Sequence, residues 1–216
     1  MAAPLRGEGK SSRISVMRRL FLALNFDEPS KRLLADFAAA SRPSFRACTM
    51  NWVNPALYHL TLYFFGEADE EACRSIVAEL GDLDKKLPAP TLLSQEVLFL
   101  PNEKNPRTFC IGFRAEPRDS TEKIVEAARR AARSAGLPED RRPWLSHLSL
   151  ARLKYAPADF AFRMREAEAL STGESTISLI AHTPQSFDLM ESRLLPGGPR
   201  YSLVRKYMFY AGTMTL

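Results

Sequence analysis

The 216-residue chain is short of long hydrophobic runs, of cysteine and of histidine, and each shortage narrows what the protein can be. No apolar run approaches the roughly 18 to 20 residues that a membrane span needs. The first 17 residues lack the apolar stretch of a secretory signal. A soluble, cytoplasmic protein is the expectation. Cys48, Cys73 and Cys110 are odd in number and widely spaced, with no CxxC pair and no histidine nearby at metal-ligand spacing. They read as reduced, structural thiols, and no local ligand pair nucleates a zinc site.

The net charge of +5 suggests a polyanion binder until its distribution is read. Arg6, Lys10, Arg13, Arg18 and Arg19, set against Glu8, hold all but one of those net charges. The body is close to neutral, so any RNA is gripped locally, at a terminus or a few phosphates. Residues 1–17 form a polar, basic segment without periodicity, expected to be disordered, with Met17 a possible alternative start. The length of residues 18–216 allows one compact domain or two small lobes, and a monomer is the expectation.

Arg19–Leu24 reads as a buried strand, and Pro29 and Ser30 are placed to open a helix whose apolar face is Leu33, Leu34, Phe37 and Ala38. Thr49 to Pro55 reads as a loop, and Tyr58 to Phe65 as a strand halted by Gly66. A helix is expected over 69–86, and strands over Leu92–Leu100 and Thr108–Phe113. Ser120 and Thr121 are candidate caps for a helix over 121–135 that Gly136 and Pro138 end. His147–Leu153 is a strand, 157–170 a helix, and short strands follow around the turn Pro196-Gly197-Gly198-Pro199. Each half thus runs strand, helix, loop and His-containing strand, with Phe21–Leu24 preceding His59 much as Cys110–Phe113 precedes His147. Duplicated halves of this kind would meet at one cleft.

Two of the three histidines lie in the pattern His-Leu-(Thr/Ser)-Leu, a coincidence expected about once in several hundred chains of average composition. In a strand, residues two apart share a face, so His59 projects beside Thr61, and His147 beside Ser149, with leucines behind. Any one strand histidine is more often structural than catalytic, but the doubled motif points to a shared role. His182, followed by Thr183 and Pro184, lacks the apolar flank and reads as a loop residue. Two imidazoles and two hydroxyls suit displacement at a phosphodiester: one imidazole takes a proton from water, the other gives one to the departing ribose oxygen. The hydroxyls and a nearby arginine would hydrogen-bond the non-bridging oxygens. No metal and no cofactor is required by this scheme.

These residues resemble the two-histidine phosphoesterases, and within them the RNA 2′,3′-cyclic phosphodiesterases, also called 2′-5′ RNA ligase or LigT-like proteins. The resemblance spans Arg18 to Phe209. It rests on Arg19–Leu24, His59-Leu60-Thr61-Leu62 with Phe65-Gly66-Glu67, Phe99-Leu100-Pro101-Asn102, Arg142-Pro143-Trp144 ahead of His147-Leu148-Ser149-Leu150-Ala151-Arg152, Met190-Glu191-Ser192 and Gly198–Leu203. It implies a bilobal α+β fold: two antiparallel sheets lining a central cleft about a pseudo-two-fold axis, helices outside and no cofactor. The implied reaction opens a terminal 2′,3′-cyclic phosphate of RNA or a nucleotide to a 2′-phosphomonoester, with weak 2′-5′ ligation alongside. His59 matches the proton donor and His147 the acceptor, although the residues themselves give neither priority.

Ser149 stands where the family usually has Thr, and Ser146 where it usually has Pro. Arg152 is five residues from His147, so strict alternation would turn it away from the cleft. It reads either as a phosphate contact reached through a bulge or strand end, or as a structural ion pair. Arg141, Arg142 and Arg200 are looser candidates for RNA backbone contact, and Phe26, Tyr58, Trp144 and Tyr201 for base stacking. The alternative function is a non-catalytic phosphate- or nucleotide-binding module in RNA repair.

Overall fold

A computed structural model of the chain describes residues 16–155, 157, 160, 165–167 and 180–210. The basic segment 1–15 lies outside them, as does most of the helix expected over 157–170, of which Phe160 and 165–167 are helical.

The first strand, β1 (Arg18–Asn25), has Leu20, Phe21, Leu22, Ala23 and Leu24 all buried. An unbroken apolar run suits a strand covered on both faces, and β1 sits inside its sheet. Helix α1 (Glu28–Ser41) follows at once because Asp27 caps it, its carboxylate accepting from the Ser30 amide at 2.9 Å. Leu34, Phe37 and Ala38 turn inward as expected, but Leu33 lies on the solvent side. Thr49–Trp52, expected as loop, is a short strand, β2, hydrogen-bonded to a later strand that Val53 also reaches.

Strand β3 (His59–Ala68) runs through Gly66 rather than stopping there. Gly66 takes φ 78° at a register shift against β1, so its freedom to adopt positive φ accommodates an extra residue in a continuing strand. Helix α2 (Glu70–Gly81) is capped by Asp69 on the Ala72 amide at 2.8 Å. It stops well before the expected end, in a series of turns.

Strands β4 (Thr91–Leu100) and β5 (Thr108–Glu116) form an antiparallel pair, and α3 spans Arg118–Ser134. Pro117, not Ser120 or Thr121, occupies the cap position of α3. Both hydroxyl residues are buried in the first turn, where Thr121 donates to the Arg118 carbonyl at 2.8 Å. Gly136 does end the helix: it takes φ 68°, its amide bonds Arg133 O at 3.0 Å, and the Leu137 amide bonds Ala132 O at 2.9 Å. These are the paired bonds of a Schellman ending. The remaining strands are β6 (His147–Tyr155), β7 (Ala181–His182), β8 (Ser186–Leu195) and β9 (Gly198–Met208). His182 therefore lies in a strand and is buried, with Nε2 3.0 Å from Asn25 O, and not in an open loop.

The fold is α+β, with two antiparallel sheets in the orders β3-β1-β8-β9 and β2-β6-β5-β4-β7. The suspected repeat is visible as β1 paired with β3 in one sheet and β5 paired with β6 in the other. Register corrects its alignment by two residues. Ala23 faces Thr61 and Cys110 faces Ser149, so Ala23, not Phe21, is the equivalent of Cys110. Strands β3 and β6 approach each other across the sheets, while α2 and α3 pack together outside. Among the described residues no helix is long and apolar enough to cross a membrane.

Candidate active site

Just before β3, the 3-10 turn Pro55–Leu57 is capped by Asn54, whose side chain accepts from the Ala56 amide at 3.0 Å. The turn presents Leu57 O to His59 Nδ1 at 2.7 Å. A carbonyl can only accept, so Nδ1 carries the hydrogen and Nε2 is left for chemistry. His147 repeats this device, with Nδ1 2.8 Å from Leu145 O. In both cases the carbonyl belongs to the residue two places earlier, which fixes ring orientation and tautomer together.

His59, Thr61, His147, Ser149 and Arg152 all line one cavity of about 320 Å³. Phe21, Tyr201 and the β8–β9 turn at Gly197–Pro199 complete part of its wall. The His59 ring packs against Phe21 at 5.0 Å and edge-on to Tyr201 at 5.3 Å. Burial holds its imidazole below the ordinary histidine value, opposed by the Leu57 carbonyl and reinforced by the charge of His147. Thr61 Oγ1 lies 3.1 Å from His59 Nε2. Ser149 Oγ instead sits 3.9 Å from Cys110 Sγ, a buried thiol that desolvation pushes up to about 12.

Arg152 reaches the cavity by the bulge that parity required. The β5–β6 register shifts between Phe109 and Cys110, leaving Leu150 as the extra residue, and Leu150 and Ala151 are both buried. Arg152 is thereby returned to the face of His147 and Ser149. Among the described residues it has no ion-pair partner, which removes support for the structural ion pair. It lies close enough to Tyr201 to oppose the effect of burial on that phenol.

Other expectations are corrected by contacts. Phe26 and Tyr58 are core residues, and Trp144 donates its indole N–H to Thr61 O at 2.9 Å, tying the approach to β6 onto β3. Arg141 pairs with Glu139 at 3.2 Å, and Arg142 binds both oxygens of Asp140 at 2.9 and 2.6 Å. Arg200 is not on the cavity wall. Sequence reasoning missed Asn51, Asn54 and Phe64, all of which line the cavity. Phe64 carried a readable signal, since it follows His59 by the interval at which Arg152 follows His147. No group of three or more His, Cys, Asp or Glu side chains placed to hold a metal occurs among the described residues.

The family model for LigT like phosphoesterases matches residues 25–110. Similar solved structures extend beyond that stretch: LigT of E. coli complexed with 3′-AMP has a TM-score of 0.70 at 20% identity, covering 90% of this chain and 99% of that one. The chain shares the fold of LigT and, over residues 25–110, matches the model for LigT like phosphoesterases. TT0787 of Thermus thermophilus has a TM-score of 0.69 at 27% identity over 89% of this chain and 98% of that one. Two sequence relatives bear the name RNA 2′,3′-cyclic phosphodiesterase. That of Aquifex aeolicus is 26% identical over 74% of this chain and 81% of its own length. That of Archaeoglobus fulgidus is 27% identical over 88% and 99%. The family-model match thus includes β3 with His59 and ends before β6 with His147, and the structural likeness covers about nine-tenths of the chain.

Proposed function

We propose that the protein hydrolyses 2′,3′-cyclic phosphate ends of RNA or nucleotides to 2′-phosphomonoesters, with His59 and His147 as the acid and base. The observation that carries this reading is the matched pair of imidazoles, each anchored through Nδ1, on the wall of one cavity with two hydroxyls and a guanidinium without an ion-pair partner among the described residues.

His147, neutral at Nε2, takes a proton from water as the water oxygen bonds to phosphorus. The P–O3′ bond breaks, and His59 Nε2–H gives its proton to O3′. The products are a free 3′-hydroxyl and a 2′-phosphate, and proton exchange with solvent returns both histidines to their starting protonation states. The donor role of His59 follows the family resemblance. In the ligand-free protein burial disfavours its charged form, so the anionic substrate supplies the field that stabilises the imidazolium. Thr61, Ser149 and Arg152 bind the non-bridging oxygens as their charge grows. A ribose 5′-hydroxyl in place of water would leave a 2′-5′ phosphodiester instead.

The test is incubation with adenosine 2′,3′-cyclic phosphate in the presence of a chelator. Ring opening to the 2′-phosphate, lost in His59→Ala and His147→Ala proteins that still fold, is expected. Turnover indifferent to both substitutions would overturn the mechanism, and chelator-sensitive turnover would require a metal. Binding without turnover in the unsubstituted protein would favour a nucleotide-binding module.

A further inference from the structure

A second cavity, of about 530 Å³, continues from the first and shares Thr61, Phe64, His147, Ser149 and Arg152 with it. Its far wall brings three more arginines: Arg107, Arg129 and Arg142. Two of these are already engaged. Arg129 donates to Arg142 O at 2.8 Å and to Asp140 O at 3.3 Å, with Glu126 3.5 Å away, and Arg142 is held by Asp140. The Asp140 carboxylate on this wall is pulled down to about 2 chiefly by its hydrogen bond from Arg142.

Arg107 differs. Its backbone is pinned on both sides, the amide to Leu100 O at 2.7 Å and the carbonyl to the Leu153 amide at 2.8 Å. Its side chain is exposed and has no ion-pair partner among the described residues. Thr108 is the register partner of Arg152, and Arg107, one residue earlier, lines the second cavity together with Arg152. An anion seated in that cavity would meet two guanidinium groups that have no ion-pair partner among the described residues. One guanidinium borders the cavity that holds both histidines, and the other extends the positive surface away from it.

We propose that the second cavity is a subsite for the next phosphate along an RNA strand, bound by Arg107, so that oligonucleotide ends are preferred to mononucleotides. This deepens the hydrolysis reading and rests on it for the position of the cyclic phosphate. A nucleoside 2′,3′-cyclic phosphate has no second phosphate, whereas the dinucleotide ApA ending in a 2′,3′-cyclic phosphate has one at the terminal 5′ oxygen. The bridging phosphodiester would accept the guanidinium N–H groups as charge-assisted hydrogen bonds.

The experiment compares kcat/KM for these two substrates in the unsubstituted protein, Arg107→Ala, Arg107→Lys and, as an equal loss of charge at a residue on neither cavity wall, Lys123→Ala. A preference of about tenfold for the dinucleotide is expected. It should vanish in Arg107→Ala, survive in part in Arg107→Lys and persist in Lys123→Ala. A second arm measures binding of the matching 2′-phosphate products at about 50 and about 200 mM salt, where the dinucleotide's slope should be steeper by about 0.7, lost with Arg107. Equal kcat/KM for both substrates, or a preference that survives Arg107→Ala, overturns the subsite. If neither substrate turns over, the hydrolysis reading fails, and product binding alone decides the subsite: the affinity gap and its salt slope must depend on Arg107.

Discussion

The two histidine segments are the same backbone put to different use. From His59 to Phe65 and from His147 to Leu153 the burial pattern is identical, residue by residue. Each segment anchors Nδ1 on the carbonyl two residues back, and each has a register shift at the leucine after its hydroxyl residue, Leu62 and Leu150. The bulge brings the fifth residue after each histidine back to the cavity, where one half places Phe64 and the other Arg152. The hydroxyls also part company: Thr61 lies on His59 Nε2, whereas Ser149 lies against Cys110, whose equivalent beside Thr61 is Ala23. One half surrounds its imidazole with rings, where burial disfavours the charged form, and the other contributes a guanidinium. A duplicated frame can therefore yield an asymmetric site without any change of backbone.

Loss of either imidazole tests whether the halves are equally needed. His59→Ala and His147→Ala should each lower kcat/KM by about a hundredfold to ten-thousandfold with circular dichroism unchanged. A large loss in only one would break the paired acid-base reading. At the fifth position the halves should diverge. Arg152→Ala should cost about ten- to a hundredfold in kcat/KM, as expected for a charge-assisted contact to phosphate. Phe64→Ala should cost less, and equal losses would argue that both positions serve packing.

The environment of His59 can be read by its own titration. An NMR titration should place its midpoint below the ordinary histidine value, and His147→Ala should move it upward by removing a like charge. The unfolded chain then binds more protons than the folded one just below about pH 6.5. The contribution of His59 to stability is therefore complete above that pH and declines as pH falls toward the folded-state midpoint. Denaturant titrations of the unsubstituted protein and His59→Gln across this range should converge at acid pH.

The hydroxyl difference predicts a smaller effect. Cys110→Ala recreates the neighbour that Thr61 has and frees the Ser149 hydroxyl for phosphate. We expect kcat/KM to rise by roughly twofold while stability falls by about 1 kcal/mol through the lost buried sulfur. Unchanged kcat/KM would show that the Ser149 rotamer is not set by Cys110. The smallest expected change is at Ser146, just before His147, whose buried hydroxyl has no partner among the described residues. Ser146→Ala should be neutral or stabilise by less than about 1 kcal/mol in chemical denaturation, since it removes an unsatisfied group.

Local chemistry written in short stretches was legible in the chain alone. The His-Leu-(Thr/Ser)-Leu alternation put imidazole and hydroxyl on one face, the Gly136 ending of α3 was readable, and the α+β plan of two antiparallel sheets came with the family resemblance that the motifs carry. Errors arose where a local cue had two structural outcomes. Gly66 can stop a strand or carry a bulge within it, and only pairing with β1 selected the bulge. Thr49–Trp52 has no strong strand pattern of its own and is a strand because β6 offers it an edge. Ser120 and Thr121 had capping chemistry, but the chain turned one step earlier, at Pro117.

By itself the sequence determined the two imidazoles, their hydroxyl neighbours, and the doubled order of elements that carries them, because side-chain alternation is a property of any single strand. Only the tertiary structure decided that both motifs share one cavity, that Arg152 faces it, and that Arg141 and Arg142 are already engaged. Those outcomes depend on register between strands and on partners distant in sequence: the bulge at Leu150 exists only relative to β5, and a guanidinium is available only if no carboxylate has folded beside it.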